Sequence, residues 1–257
     1  MFVFQLLNGC INILLFACAL GLFVLCSVLF VECVAALLPI PRINQDYNQD
    51  IKDIRFTVLI PAHNEEVVIR STLEDLKSKL NNLGHVVVVA DNCTDTTAEI
   101  ASEMGATVIE RYEPNLMGKG YALDYGLQFL ESHPPEVVVF LDADCQVCEG
   151  AIERLTQKAI ATGRPIQGTY LMAQPSNATA KQSVSAFAFK VKNKVRLSGL
   201  AKLGMPCLLT GTGMAFAWRV IRSVDLANGN IVEDMKLGMD LNIDVYTQLF
   251  CHKAEVR

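Results

Sequence analysis

Three short carboxylate-bearing segments each follow a run of apolar, largely β-branched residues. Pro61-Ala62-His63-Asn64-Glu65-Glu66 comes after Phe56–Ile60, Asp91 after Val86-Val87-Val88-Val89, and Asp142-Ala143-Asp144 after Val137-Val138-Val139-Phe140. Two carboxylates at i and i+2 on a strand end can reach one divalent cation and a bound diphosphate together. All-oxygen ligands of this kind suit Mg²⁺ or Mn²⁺. The plainer alternative is a strand-to-helix turn whose aspartates only cap the next helix. A carboxylate at Asp91 could accept hydrogen bonds from a base N–H or a ribose hydroxyl, whereas Asp95 suits the N-cap of the following helix.

Further along, Gly118-Lys119-Gly120 opens a helical stretch. Its glycines would let the backbone approach a ligand, and a lysine at a helix start could meet phosphate or a base; a solvated loop lysine is the competing reading. The spacing is not that of a Walker A loop, and no Gly-x-Gly-x-x-Gly follows the first strand, which argues against a dinucleotide. Gly211-Thr212-Gly213 fits a tight backbone turn beside a substrate, or a simple hairpin or bulge. Glu233-Asp234 stands at an expected helix start, where the helix dipole favours acids in any case. His63, His85, His133 and His252 lack metal-ligand spacing, and the pair Cys145/Cys148 has no second pair to complete a zinc site.

These segments need a frame. Strands are predicted at Phe56–Ile60, His85–Ala90, Thr107–Glu110, Val137–Leu141 and Ile166–Met172. Helices are predicted at Glu65–Leu80, Thr96–Met104, Lys119–Glu131 and Ala151–Ala161. Such alternation implies an α/β domain, a mostly parallel sheet flanked by helices. Continuous valine runs fit strands covered on both faces. Ligands of these sheets bind at the carboxyl ends of the strands, so the three acidic turns should converge on one edge.

The chain has 257 residues, 51% hydrophobic and 19% charged, with net charge −5. That excludes disorder, and with no Lys/Arg stripe it excludes a basic nucleic-acid binder; no nucleic-acid partner is expected. The apolar excess is concentrated at the start: Met1 to Leu38 holds only Gln5, Asn8, Gly9, Asn12, Gly21, Ser27 and Glu32 as non-apolar residues. About 20 apolar residues span a bilayer, so a transmembrane helix is expected near Ile11 to Val31, with Glu32 at an interface. A cleaved signal peptide would want a basic leader and a shorter run. Arg42, Lys52 and Arg55 follow the span and place the rest on the cytoplasmic side. The expected organisation is an anchor at 1–40, a linker at 41–54 and a domain at 55–257.

Together these residues resemble family 2 glycosyltransferases, inverting enzymes of GT-A fold that include cellulose- and hyaluronan-synthase-like membrane proteins. The resemblance rests on Pro61-Ala62-His63-Asn64-Glu65, Asp91, Lys119, Asp142-Ala143-Asp144, Gly211-Thr212-Gly213 and Glu233-Asp234, in that order. It implies a membrane-anchored transferase taking a sugar from a nucleotide-sugar, a UDP-sugar in the first instance, to a glycan or lipid-linked acceptor. Pro61, Ala62, Asn64, Glu65, Asp91, Lys119 and Asp142 would bind the donor, and Asp142 and Asp144 the metal. Gly211, Thr212, Gly213 and Glu233 would line the acceptor side, with Asp234 the general base. Two departures stand out. Trp218 is the only tryptophan and precedes Glu233, so the Gln-x-x-Arg-Trp that follows Glu-Asp in synthase-like members is absent, and Cys145 stands where some members have histidine. The resemblance therefore also implies a C-terminally truncated form, with a non-catalytic nucleotide-sugar-binding protein as the alternative function. A nucleotidyltransferase shares the metal logic but does not predict Glu233-Asp234.

Overall fold

The computed structural model of the chain describes residues 2–39, 54–80, 85–175, 177–227 and 233–257. The linker expected at 41–54 lies outside the described residues except at its last position. The N-terminal helix α1 (Phe2–Leu37) is continuous. It outruns the expected span at both ends because no proline interrupts it before Pro39.

Beyond it, β1 (Phe56–Ala62), α2 (Ile69–Lys79), β2 (His85–Asp91), α3 (Thr97–Glu103), β3 (Thr107–Arg111), α4 (Lys119–Leu130), β4 (Val137–Phe140), α5 (Ala151–Thr162) and β5 (Ile166–Tyr170) alternate. Every strand and helix expected from the sequence in this stretch forms, with ends shifted by a few residues. Helix α6 (Ala180–Lys190) then passes through a π-turn (Val191–Arg196) into α7 (Leu197–Lys202). Strand β6 (Met214–Ala217), the short α8 (Trp218–Ile221), α9 (Glu233–Ile243) and β7 (Leu249–Val256) complete the order. Thr179, the last residue of an Asn-Ala-Thr sequon in form, serves as the N-cap of α6. Its hydroxyl accepts from the Gln182 amide at 3.3 Å, and the Gln182 side chain accepts from the Thr179 amide at 2.8 Å.

Among the described residues, seven strands lie in the order β3-β2-β1-β4-β6-β5-β7. β1 pairs in parallel with β2 and β4, β2 with β3, and β5 with β7; only β6 runs against its neighbours β4 and β5. Alternate residues of the valine runs feed two cores. Val58, Val88, Val137 and Val139 pack with Leu73 and Leu76 of α2 and Leu155 of α5. Leu59, Val87, Val89, Val138 and Phe140 pack with Leu123 and Leu127 of α4 on the other face. Burial on both faces is why these strands carry no polar alternation.

Candidate active site

The turns after β1 and β2 are built into one another. Asn64 and Asn92 take left-handed backbone angles (φ 55° and 51°), which asparagine tolerates better than other side chains. The Asn64 carboxamide oxygen accepts from the Thr94 amide at 2.8 Å, and Thr97 Oγ1 accepts from the Glu65 amide at 2.8 Å. The N-cap of α3 is Thr96 and not Asp95 as expected; Asp95 stands one residue earlier, where its Oδ1 accepts from the Thr97 amide at 3.1 Å. Asp91 is buried, and its Oδ1 accepts from Arg111 Nη1 at 2.6 Å and from Asn92 Nδ2 at 3.0 Å. The Arg111 guanidinium lies 5.6 Å from the Tyr121 ring centre, so a β3 cation and an α4 ring hold Asp91 in place.

Beyond β4, Asp142, Asp144 and Cys145 can present one ligand atom each within 4.8 Å of one another. Lys119, the first residue of α4, donates to Asp142 Oδ1 and, at 2.8 Å, to the Gly211 carbonyl. Burial pushes the Asp142 carboxyl above its usual range. Lys119 offsets part of this, while Asp144 and Asp234 add to it. Glu65 is raised as well, by burial first and then by Asp144 and Asp95. Burial carries the Cys145 thiol up to about 12, so at neutral pH it is a protonated neighbour of the carboxylates.

The Gly211 turn closes the other side. Gly211 has φ 89°, which favours glycine, and a β-carbon there would sit 3.6 Å from Lys119 Nζ and 3.7 Å from Asp234 Oδ2. Thr212 Oγ1 accepts from the Asp142 amide at 3.0 Å. Asp234 lies in the first turn of α9, where its Oδ1 accepts from the Met235 amide at 2.8 Å. The side chain of Glu233 lies outside the described residues.

An open cleft of about 540 Å³ runs along this carboxyl edge of the sheet. Of the residues expected to bind a donor or metal, Pro61, Ala62, Glu65, Asp91, Lys119, Asp142 and Asp144 line it. Asn64 does not; it ties the two turns together instead. His63, Met117, Gly118 and Ala122 line the cleft without having been singled out, although His63 and Gly118 sit inside segments that were. Gln167 was missed altogether. Fully buried on β5, it accepts from the Thr210 amide at 2.9 Å and donates to the Thr212 carbonyl at 3.0 Å, clamping the Gly211 turn. Only its position inside a strand hinted at a polar task.

Residues 57–209, more than half the chain, match the family described as glycosyl transferase family 2. The chain belongs to this family. Among relatives of this family 2 member, the 4,4'-diaponeurosporenoate glycosyltransferase of Staphylococcus haemolyticus is 36% identical over 106 residues, covering 39% of this chain and 27% of that one. The chain spans less than half the length of each curated relative it matches. In fold it is similar to a mannosyltransferase from Pyrobaculum calidifontis solved with GDP-mannose and Mn²⁺. The TM-score is 0.65 at 16% identity, over 93% of this chain and 66% of that one. It is also similar to glucosyl-3-phosphoglycerate synthase from Mycobacterium tuberculosis, solved with Mn²⁺ and UDP-glucose. There the TM-score is 0.51 at 20% identity, over 80% of this chain and 72% of that one. The fold is GT-A.

Proposed function

We propose that this family 2 member transfers a sugar from a nucleotide-diphosphate donor, a UDP-sugar in the first instance, to a hydroxyl of a glycan or lipid-linked acceptor with inversion. One observation carries the reading: Lys119, which with Asp142 and Asp144 lines a cleft of about 540 Å³, joins Asp142 to the Gly211 turn, where a third carboxylate, Asp234, also stands. The donor set fits a hard divalent ion. Two carboxylates supply oxygen ligands of the kind that Mg²⁺ or Mn²⁺ takes. When bound, such an ion neutralises charge on a departing diphosphate. Asp142 and Asp144 would hold it, and the two fold neighbours were both solved with Mn²⁺.

Lys119 would add a positive charge beside the diphosphate, and the wall from Pro61 to Asp91 would take the nucleoside. Asp234, which faces the Gly211 turn together with Lys119, would accept the acceptor's proton. The hydroxyl oxygen then bonds to the anomeric carbon, the bond from that carbon to the diphosphate oxygen breaks, and the nucleoside diphosphate leaves. A single displacement of this kind inverts the anomeric centre and needs no second nucleophile. Leu7–Leu37 has the length and composition of a membrane span, with mean hydropathy 2.9, and the basic residues after it favour a cytoplasmic domain.

The test is Asp234→Asn in the full chain, assayed for transfer and for donor hydrolysis with UDP- and GDP-sugars. Turnover should fall roughly 10²–10⁴-fold, the contribution of a general base, with nucleotide affinity retained. Nucleotide binding with no turnover in the parent protein would instead make it a binding protein.

A further inference from the structure

Helices α6 and α7 and the π-turn between them form one uninterrupted helical run from Ala180 to Lys202. This run carries six Lys or Arg residues and no Asp or Glu, in a chain of net charge −5. The basic residues are too widely spaced to show as a stripe. Lys194 pairs with Glu255 and Arg196 with Glu32, while Lys181, Lys190 and Lys192 are exposed. Lys158, Lys194, Lys202 and Lys253 crowd round His252 and depress its pKa after burial has done so, which marks a basic surface beside the run. No residue of α6 is buried. Val184 and Phe187 are 68% and 67% exposed.

Where this run sits relative to α1 follows from their register. Arg196 reaches the Glu32 carboxylate, and Lys202 Nζ donates to the Ala36 carbonyl at 2.6 Å, so α7 and the last turns of α1 run side by side in the same direction. They touch at backbone distance: a β-carbon on Gly199 would fall 2.0 Å from the Glu32 carbonyl oxygen. Thirty-six residues make α1 roughly 54 Å long, against about 30 Å of bilayer hydrocarbon. Its last turns, from Glu32 onward, are the part held by protein. Because the helices are parallel, the chain before Arg196 heads back toward the side from which α1 comes. That is the membrane side of the Glu32 level.

We propose that α6, the exposed first half of this run, lies against an anionic bilayer surface, with Val184 and Phe187 at the acyl boundary and Lys181, Lys190 and the adjoining Lys192 among the headgroups. The proposal rests on the reading of α1 as a membrane span. It gives the domain a second membrane contact, and the contact is linked to the site. Phe189 of α6 packs edge-on against Tyr170 at 5.0 Å between ring centres, and Tyr170 lies within electrostatic reach of Asp142 and Asp144, whose charges add to burial in raising its pKa. Basic amphipathic helices bind such surfaces through apolar burial plus attraction to anionic lipid.

The experiment uses the full chain in phosphatidylcholine/phosphatidylglycerol nanodiscs, in a Trp218→Phe background, with acyl-brominated lipid as quencher. Single tryptophans are introduced by Phe187→Trp in α6, Phe16→Trp in α1 and Tyr112→Trp at the exposed position just after β3. Quenching at 187 should reach roughly half that at 16 or more, and be several-fold that at 112. Adding Lys181→Gln, Lys190→Gln and Lys192→Gln should cut the quench at 187 several-fold and leave that at 16 unchanged. Quenching at 16 with none at 187 overturns the proposal and spares the span. No quenching at 16 overturns the span, and the proposal with it. A blue-shifted but unquenched signal at 187 means that protein covers α6, and also overturns it.

Discussion

Asp142 answers two opposing demands. Burial and the nearby Asp144 and Asp234 disfavour its charge, and Lys119 only partly offsets them. Its carboxyl therefore binds a proton more tightly in the folded protein than in the unfolded chain. The sign follows by linkage: this term favours folding at low pH and is lost as pH rises from the ordinary aspartate value, about 4, through the raised folded one. In metal-free protein Asp142→Asn should flatten that pH dependence and melt at or a few degrees above the parent at pH 7, measured by thermal unfolding. Mn²⁺ should reverse the order. At 100 times its dissociation constant a bound ion stabilises by about 2.7 kcal/mol, and the variant should lose most of that gain. An Asp142→Asn protein that Mn²⁺ stabilises as strongly as the parent would remove Asp142 from the metal site. Asp142 and Asp144 were legible in the sequence because a buried strand ending in Asp-x-Asp is a local pattern. The part played by Asn64 was not, since its partner Thr94 is thirty residues away and nothing local announces the pairing.

At the scale of elements, valine runs and helical spacing predict β1 to β5 and α2 to α5, because periodicity and burial on both faces are written into consecutive residues. The reversal at β6 is not written there. Met-Ala-Phe-Ala is four apolar residues, equally fit for strand or helix, and its direction is set by β4 and β5 on either side. That reversal aims the Gly211 turn at Asp142. The Gly213 amide donates to the Phe140 carbonyl at 2.9 Å, the Gly168 amide to the Gly213 carbonyl at 2.8 Å, and Gln167 grips Thr210 and Thr212. Gln167→Leu would strand a buried amide and a buried carbonyl, at about 1–3 kcal/mol of stability in thermal or chemical unfolding. Steady-state kinetics should show kcat falling more than the donor KM rises, since the turn borders Asp234 and not the nucleoside end of the cleft. An unchanged kcat would mean that the turn's position does not matter for the reaction.

Across the whole molecule, α1 and the domain meet through few groups, and their chemistry decides how firmly. Glu32, the one charged residue of α1, is buried and paired with Arg196, so its charge is satisfied where the helix meets the domain. Next to that pair the backbones are in contact, and only glycine fits at 199. A carbonyl oxygen 2.0 Å from a new β-carbon cannot be avoided by a rotamer change; one helix must move. Gly199→Val should therefore separate α1 from α7 while the sheet and cleft, built by other elements, persist. The observable is Cys33, half-covered at this junction. Its alkylation by a membrane-impermeant maleimide, read by peptide mass spectrometry, should speed up several-fold, with nucleotide affinity unchanged. If donor turnover also drops while affinity holds, the helix does more than tether: it sets where the β5–α6 segment, and Tyr170 at its root, stands relative to the site. Unchanged Cys33 labelling would mean that the helices accommodate valine by sliding, so that the ion pair and not the glycine contact fixes the anchor.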